Sequence, residues 1–319
     1  MDDLNRFFED IEAEDVREQI TRRRLLFGGA SIGGGSLLLG QDRETEPTPE
    51  DRLTTAETRF VAIATTLNEA DIGDPQSSWN LQDEVEAAIK AVNTILSDDF
   101  PDDPEIKQRI SALRTAIAYY STLQTSLAAA DSLYISVGDS ELEVLRHTGG
   151  IEYDPASKLD STSFKQSIKH LAEAENAPSE VTSEGRILIP DQQAVLESLR
   201  TQREIFDRYI RAQQSYLDSA KTIELGVRAY EQSRFDDAQA NLADAREVLL
   251  PDISGTGGVY QLSTMGLTLD QYSELFSLRQ DGVAQLLNAS GESVSEDKQQ
   301  SAVNSALNTF FEARNLIPR

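Results

Sequence analysis

Few residues in this chain have side chains that make or break bonds. The 319 residues include two histidines and no cysteine. The missing thiols remove disulfides, thiolate nucleophiles and iron–sulfur ligation. His147 falls in an expected loop and His170 on a short helix, and each reads as a lone surface imidazole without an orienting partner. Gly29-Ala30-Ser31-Ile32-Gly33 has the spacing of a nucleophilic serine flanked by glycines. That arrangement works only on a strand-to-helix elbow, and here it lies inside an apolar run. Ser295 and Lys298 stand one turn apart, close enough for an amine to activate a hydroxyl. No second or third element completes the set, so Ser295 reads as a helix cap. Asp98, Asp99, Asp102 and Asp103 surround Phe100-Pro101 and could offer oxygens to a hard cation. With prolines at 101 and 104, a solvated turn is the simpler expectation. Gly255-Thr256-Gly257-Gly258 reads as a flexible loop before a phosphate cradle. No catalytic, cofactor-binding or metal-binding residue is expected, and the chain is expected not to be an enzyme.

The charge is more informative. Asp plus Glu number 55 against 29 Lys plus Arg, for a net charge of −26, and lysine is scarce beside arginine. Such self-repulsion destabilises a compact state, but at about 1 M salt the Debye length falls to ~3 Å and the cost largely disappears. The acids are spread through nearly every segment, as on a surface that holds hydrated cations. In this the chain resembles the proteins of salt-loving archaea. A nucleic-acid partner is not expected, because phosphate contacts need a basic face.

The first forty residues read as an address. Thr21-Arg22-Arg23-Arg24-Leu25-Leu26 precedes an apolar, glycine-rich run from Phe27 to Gly40. This resembles a twin-arginine export signal: a hydroxyl residue, two arginines, any residue, then two apolar residues ahead of a modest hydrophobic segment. The resemblance implies the twin-arginine machinery as a partner. It also implies export across the cytoplasmic membrane, with the protein released outside or anchored to the outer face. Residues 1–40 are thus a signal or anchor and 41–52 an acidic linker with Pro47 and Pro49. Residues 53–319 are an all-helical domain.

Within that domain the apolar residues recur at helical spacing almost without interruption. Leu53 to Leu67 and Leu81 to Leu96 predict an antiparallel pair. Ile106, Ile110, Leu113, Ile117, Tyr120, Leu127 and Tyr134 predict a long helix over about 104–136. Gly138, Gly149-Gly150 and Asp154-Pro155 predict a less regular insert over about 139–190, with a short helix from Ser161 and a strand-like run at 186–189. Asp191 is placed to cap a second long helix over about 191–232. Its seam is Val195, Leu199, Gln202, Phe206, Tyr209, Gln213, Tyr216, Ala220, Ile223 and Val227. Aromatic residues and glutamines suit that seam poorly for a parallel coiled coil, so it is expected to pack on the 104–136 helix. Helices from Asp270 and Ser295 finish the chain.

The end of the second long helix and the segment after it, Ser219 to Pro251, carry a further pattern. Gly226, Ala238 and Ala245 are small, while Leu225, Tyr230, Phe235 and Leu242 can fill the space around them. With Pro251 closing the unit, this order resembles a tetratricopeptide helical hairpin. Ser233 stands where the family has a turn glycine. Ala306, Phe310 and Ala313 repeat the second-helix spacing in the last helix. The fold class is therefore all-α, an irregular helical bundle or a short tetratricopeptide-like solenoid. What the resemblance implies is a binding scaffold for a protein or peptide; the alternatives are a helical spacer without a specific ligand or a solute-binding receptor.

Overall fold

The computed structural model describes residues 47–75, 78, 81–146, 159–174, 187–249, 253, 266–290 and 295–317. The chain divides into two units, Met1–Thr48 and Pro49–Arg319. The export-type residues Thr21 to Leu26, His147, Pro251 and the 255–258 glycines lie outside the described residues. The second unit is all-α, with eight helices among the described residues. They are α1 (Pro49–Glu69), α2 (Leu81–Leu96), α3 (Pro104–Arg146), α4 (Thr162–Ala174), α5 (Gln192–Glu231), α6 (Phe235–Val248), α7 (Leu269–Ala289) and α8 (Glu296–Asn315).

Their starts follow from local chemistry. Asp103 Oδ1 accepts the amides of Glu105 and Ile106 at 2.8 and 3.2 Å ahead of Pro104, a proline placed where no amide is needed. The acidic turn at 98–103 is spent in the same way: Asp98 pairs with Arg52 at 2.9 Å and Asp102 with Lys107. Asp191 caps α5 by accepting the Ala194 amide at 3.1 Å. At α7, Thr268 and Gln271 form a reciprocal capping box. Ser295 holds the cap position of α8 with extended backbone, but its side chain makes no cap bond.

Every helix packs on the next one in sequence. Beyond that, α1 packs on α3, α3 on α5 and α5 on α7, whereas no substantial even-to-even contact accompanies them. The result is four hairpins in a row, with the odd-numbered helices forming one continuous layer. The α5 seam is buried at all ten positions named above, as its spacing predicts. At ~1.5 Å per residue α5 spans roughly 60 Å, long enough to meet α1, α3, α4, α6 and α7.

Two expectations need correction. The helix expected to end near 136 continues to Arg146, so residues 139–146 belong to it and not to the irregular insert expected there. Gly138 is buried inside the helix rather than ending it, and Val137, Ser140, Glu141, Val144 and Leu145 continue the core face. Of the strand-like run expected at 186–189, Arg186 lies outside the described residues, Ile187 makes an isolated bridge, and Leu188 and Ile189 are buried in irregular backbone. The Tyr120 hydroxyl holds that segment by donating to the Leu188 carbonyl at 2.9 Å. The short helix expected from Ser161 is α4, with Phe164, Ile168 and Leu171 buried. On α3 the buried stripe is centred on Leu113, Ala116, Tyr120, Leu123 and Leu127, which leaves Ile110, Ile117 and Tyr134 only half-buried.

Candidate functional site

The hairpin singled out in the sequence forms between the end of α5 and α6. Gly226 faces Leu242 so closely that a β-carbon there would stand 2.7 Å from Leu242 Cγ. Ala238, Leu242 and Ala245 are buried beneath it, while Leu225, Tyr230 and Phe235 are half-buried. The Tyr230 and Phe235 rings meet edge to face at 5.6 Å across the turn. The turn is short, and Ser233 carries its reversal with a φ of 57°, in the left-handed region where glycine is favoured. So the one position where the sequence departs from glycine is the position under backbone strain.

The α7–α8 hairpin repeats this construction. A β-carbon on Gly282 would lie 2.8 Å from the Phe310 ring, and Phe310 is flanked by buried Ala306 and Ala313. The spacing Ala-x3-Leu-x2-Ala of α6 thus reappears as Ala-x3-Phe-x2-Ala in α8, each large residue seated on a glycine of the preceding odd helix. Polar bonds link the two hairpins: Gln239 donates to the Ser290 carbonyl at 3.3 Å and Gln280 to the Leu249 carbonyl at 3.0 Å.

The polar chemistry gathers elsewhere, where the tail of α3 and the start of α7 meet the middle of α5. Gln213 donates to the Val137 carbonyl at 2.9 Å and accepts the Ser140 hydroxyl at 2.6 Å. The Tyr216 hydroxyl donates to the Leu145 carbonyl at 3.3 Å. Glu141 is fully buried; its Oε1 accepts the Leu267 amide at 3.0 Å, and Oε2 has no hydrogen-bond partner. Burial pushes the Glu141 carboxyl up to about 7, and the Leu267 amide opposes that only in part. The Tyr272 hydroxyl, also buried, lies beside this carboxyl without the alignment of a good hydrogen bond. Burial raises Tyr272 far above the usual phenol range, and the nearby carboxyl adds to it. Tyr209 packs edge to face on Tyr272 at 6.2 Å. Two turns along α7, the Arg279 guanidinium lies 4.1 Å over the Tyr216 ring.

None of these buried polar residues was singled out for chemistry in the sequence, although Gln213, Tyr209 and Tyr216 were placed on the seam. Glu141 was hidden because a carboxylate on a core face reads as polar surface. His170 is exposed beside Glu173, with 3.4 Å between Nδ1 and Oε2. Lys298 is exposed at the start of α8. Among the described residues no three metal-ligating side chains cluster, and no helix is long and apolar enough to cross a membrane. Compared with protein-family models, curated proteins and solved structures, the chain has no match.

Proposed function

We propose that the protein is a non-enzymatic, exported or membrane-anchored helical scaffold that binds a protein or peptide at the cell envelope. The observation that carries this reading is the continuous layer of α1, α3, α5 and α7, backed by even-numbered helices that do not form a second such layer. Hairpins stacked in a row gain stability from their neighbours and present an extended surface made of many repeats of the same element. The twin construction of Gly226 on Leu242 and Gly282 on Phe310 supports repetition as the building rule. The address is a separate proposal resting on Thr21 to Leu26: the chain is exported by the twin-arginine route, folded, and is released or stays anchored by residues 1–40. The acidic composition supports a saline setting and hydrated cations on the surface.

One observation favours a second reading. Large apolar side chains are mostly turned inward, and Ile135, Ile187 and Phe311 are the exposed exceptions among the described residues. They sit on three different elements and make no patch of the size that marks a docking surface. A helical spacer, whose long α3 and α5 set reach, fits that surface. Crosslinking in the native envelope at high salt separates the two. A scaffold yields one reproducible adduct in stoichiometric amount, whereas a spacer yields none above background.

A further inference from the structure

The start of α7 is held by side chains from two other helices. The Leu267 amide donates to Glu141 Oε1 on α3 at 3.0 Å, and the Leu269 amide turns to the Tyr209 hydroxyl on α5. The capping box uses the amides of Thr268 and Gln271 within the turn itself. α3 and α7 share no substantial packing of their own, since each lies on α5. The Glu141–Leu267 bond is therefore the link between the tail of one and the start of the other.

That link depends on a buried carboxyl with an unused oxygen. Glu141 Oε2 and the Tyr272 hydroxyl are neighbours, and among the described residues both are enclosed without an aligned hydrogen-bond partner. In the neutral acid, Oε1 is the carbonyl that accepts the Leu267 amide and Oε2 carries the proton, so no charge is buried. In the ionised form the charge meets little that stabilises it. The titratable groups around this carboxyl and its phenol neighbour are Tyr209 and Tyr216 from α5, Tyr272 and Asp270 from α7, and Tyr134 from α3. Burial keeps Tyr209 and Tyr272 protonated, and Asp270 adds only negative charge. Arg279, two turns along α7, lies over the Tyr216 ring instead. One amide and a misaligned phenol do not replace the water around a carboxylate. The charge regains that water when the turn at the start of α7 leaves α3.

We propose that Glu141 is a proton-operated clasp: protonated, it holds the turn from Leu267 to Tyr272 on α3, and ionised, it lets that turn come away. Opening releases the Oε2 proton to solvent, so it is favoured wherever the open form is ionised and the closed form is not. The closed carboxyl is pushed up to about 7 from an ordinary 4.5. The open population therefore rises about tenfold per pH unit between those values, on the order of 100-fold in all, and levels off above them. Asp131, on α3 against Asp83, titrates over the same range and serves as the internal control, because substitution of Glu141 leaves it in place.

The test uses the full chain in concentrated sodium chloride from pH 4.5 to pH 8. Amide exchange of residues 267–272 is read by mass spectrometry and divided by the intrinsic rate at each pH. The expected result is a rise on the order of 100-fold in the corrected exchange of the parent, and a level profile in Glu141→Gln. At pH 8, low urea should leave exchange from this turn unchanged while it speeds exchange from residues 56–64 of α1, which marks the opening as local. A level profile in the parent overturns the inference. So does the same rise in the variant, or a urea dependence as steep as that of α1. If Glu141→Gln does not fold, Tyr272→Phe takes its place. Loss of the phenol hydroxyl raises the carboxyl further, so the rise should continue to higher pH, and an unmoved plateau overturns the clasp. The measurement needs no partner protein, so its failure leaves the scaffold reading to its own crosslinking test.

Discussion

Ser233 pays for the α5–α6 turn with a φ of 57°, a conformation that costs an ordinary L-residue about 1–2 kcal/mol. Its neighbours show why the turn keeps it: the Ser233 amide reaches the Tyr230 carbonyl at 2.9 Å, and the Arg234 amide the Ala229 carbonyl at 2.9 Å. Ser233→Gly is therefore expected to stabilise the protein by about 1 kcal/mol, read as a rise in thermal midpoint; an unchanged or lower midpoint contradicts the strain. Glu141 makes the opposite kind of statement, since its folded value is raised. Its stabilising neutral form is fully present below the ordinary carboxylate value of 4.5, and its contribution is lost as pH rises towards about 7. Glu141→Gln should remove that slope, leaving the variant more stable than the parent above pH 7 by about 2 kcal/mol. Chemical denaturation at pH 5 and pH 8 measures it. Asp131, pushed up to about 7 by burial and by Asp83, adds a slope of the same sign, which the variant retains.

At the scale of the helices, glycines set the distances. A β-carbon at Gly226 or Gly282 would collide with Leu242 or Phe310, and overpacking of this kind costs roughly 1–3 kcal/mol. An alanine gains up to about 1 kcal/mol of helix propensity, so each Gly→Ala is expected to lower stability by a net 1–2 kcal/mol. Pairing Gly226→Ala with Leu242→Ala should give less destabilisation than the sum, which a double-mutant cycle reads directly. Additive values would mean that the two residues do not touch. Part of this was legible from spacing: all ten seam residues of α5 are buried, and so are Ala238, Leu242 and Ala245 on α6. What was lost was lost for a physical reason. The tail of α3 does carry Val137, Val144 and Leu145 on its core face, but Gly138, Ser140 and Glu141 interrupt the apolar run between them, and there the core contacts are hydrogen bonds to Gln213 and Leu267. Arg279 was invisible for the same reason, a charge on a core face.

At the scale of the molecule, a net charge of −26 sets the conditions under which the eight described helices hold together. Helical circular dichroism is expected to be partial in dilute buffer and complete near 1 M salt, where the charges are screened; full helicity in dilute buffer would remove the case for salt adaptation. Replacing Arg22 and Arg23 together with lysine should leave the protein in the cytoplasm, and normal secretion would sink the export proposal. The order of the hairpins was less legible than the helices themselves, because nearest-neighbour spacing says nothing about which alternate helices meet. The odd-numbered layer is a property of tertiary packing.

That layer is also where the scaffold reading is most exposed. A photo-activated crosslinker placed at Glu204 or Ser277, exposed on α5 and α7, can be compared with one at Gln166 or Ala243, exposed on α4 and α6. In the native envelope at high salt, one defined adduct is expected from the α5 and α7 positions and none from the α4 and α6 positions. Equal labelling from all four, or no adduct from any, would contradict the scaffold reading.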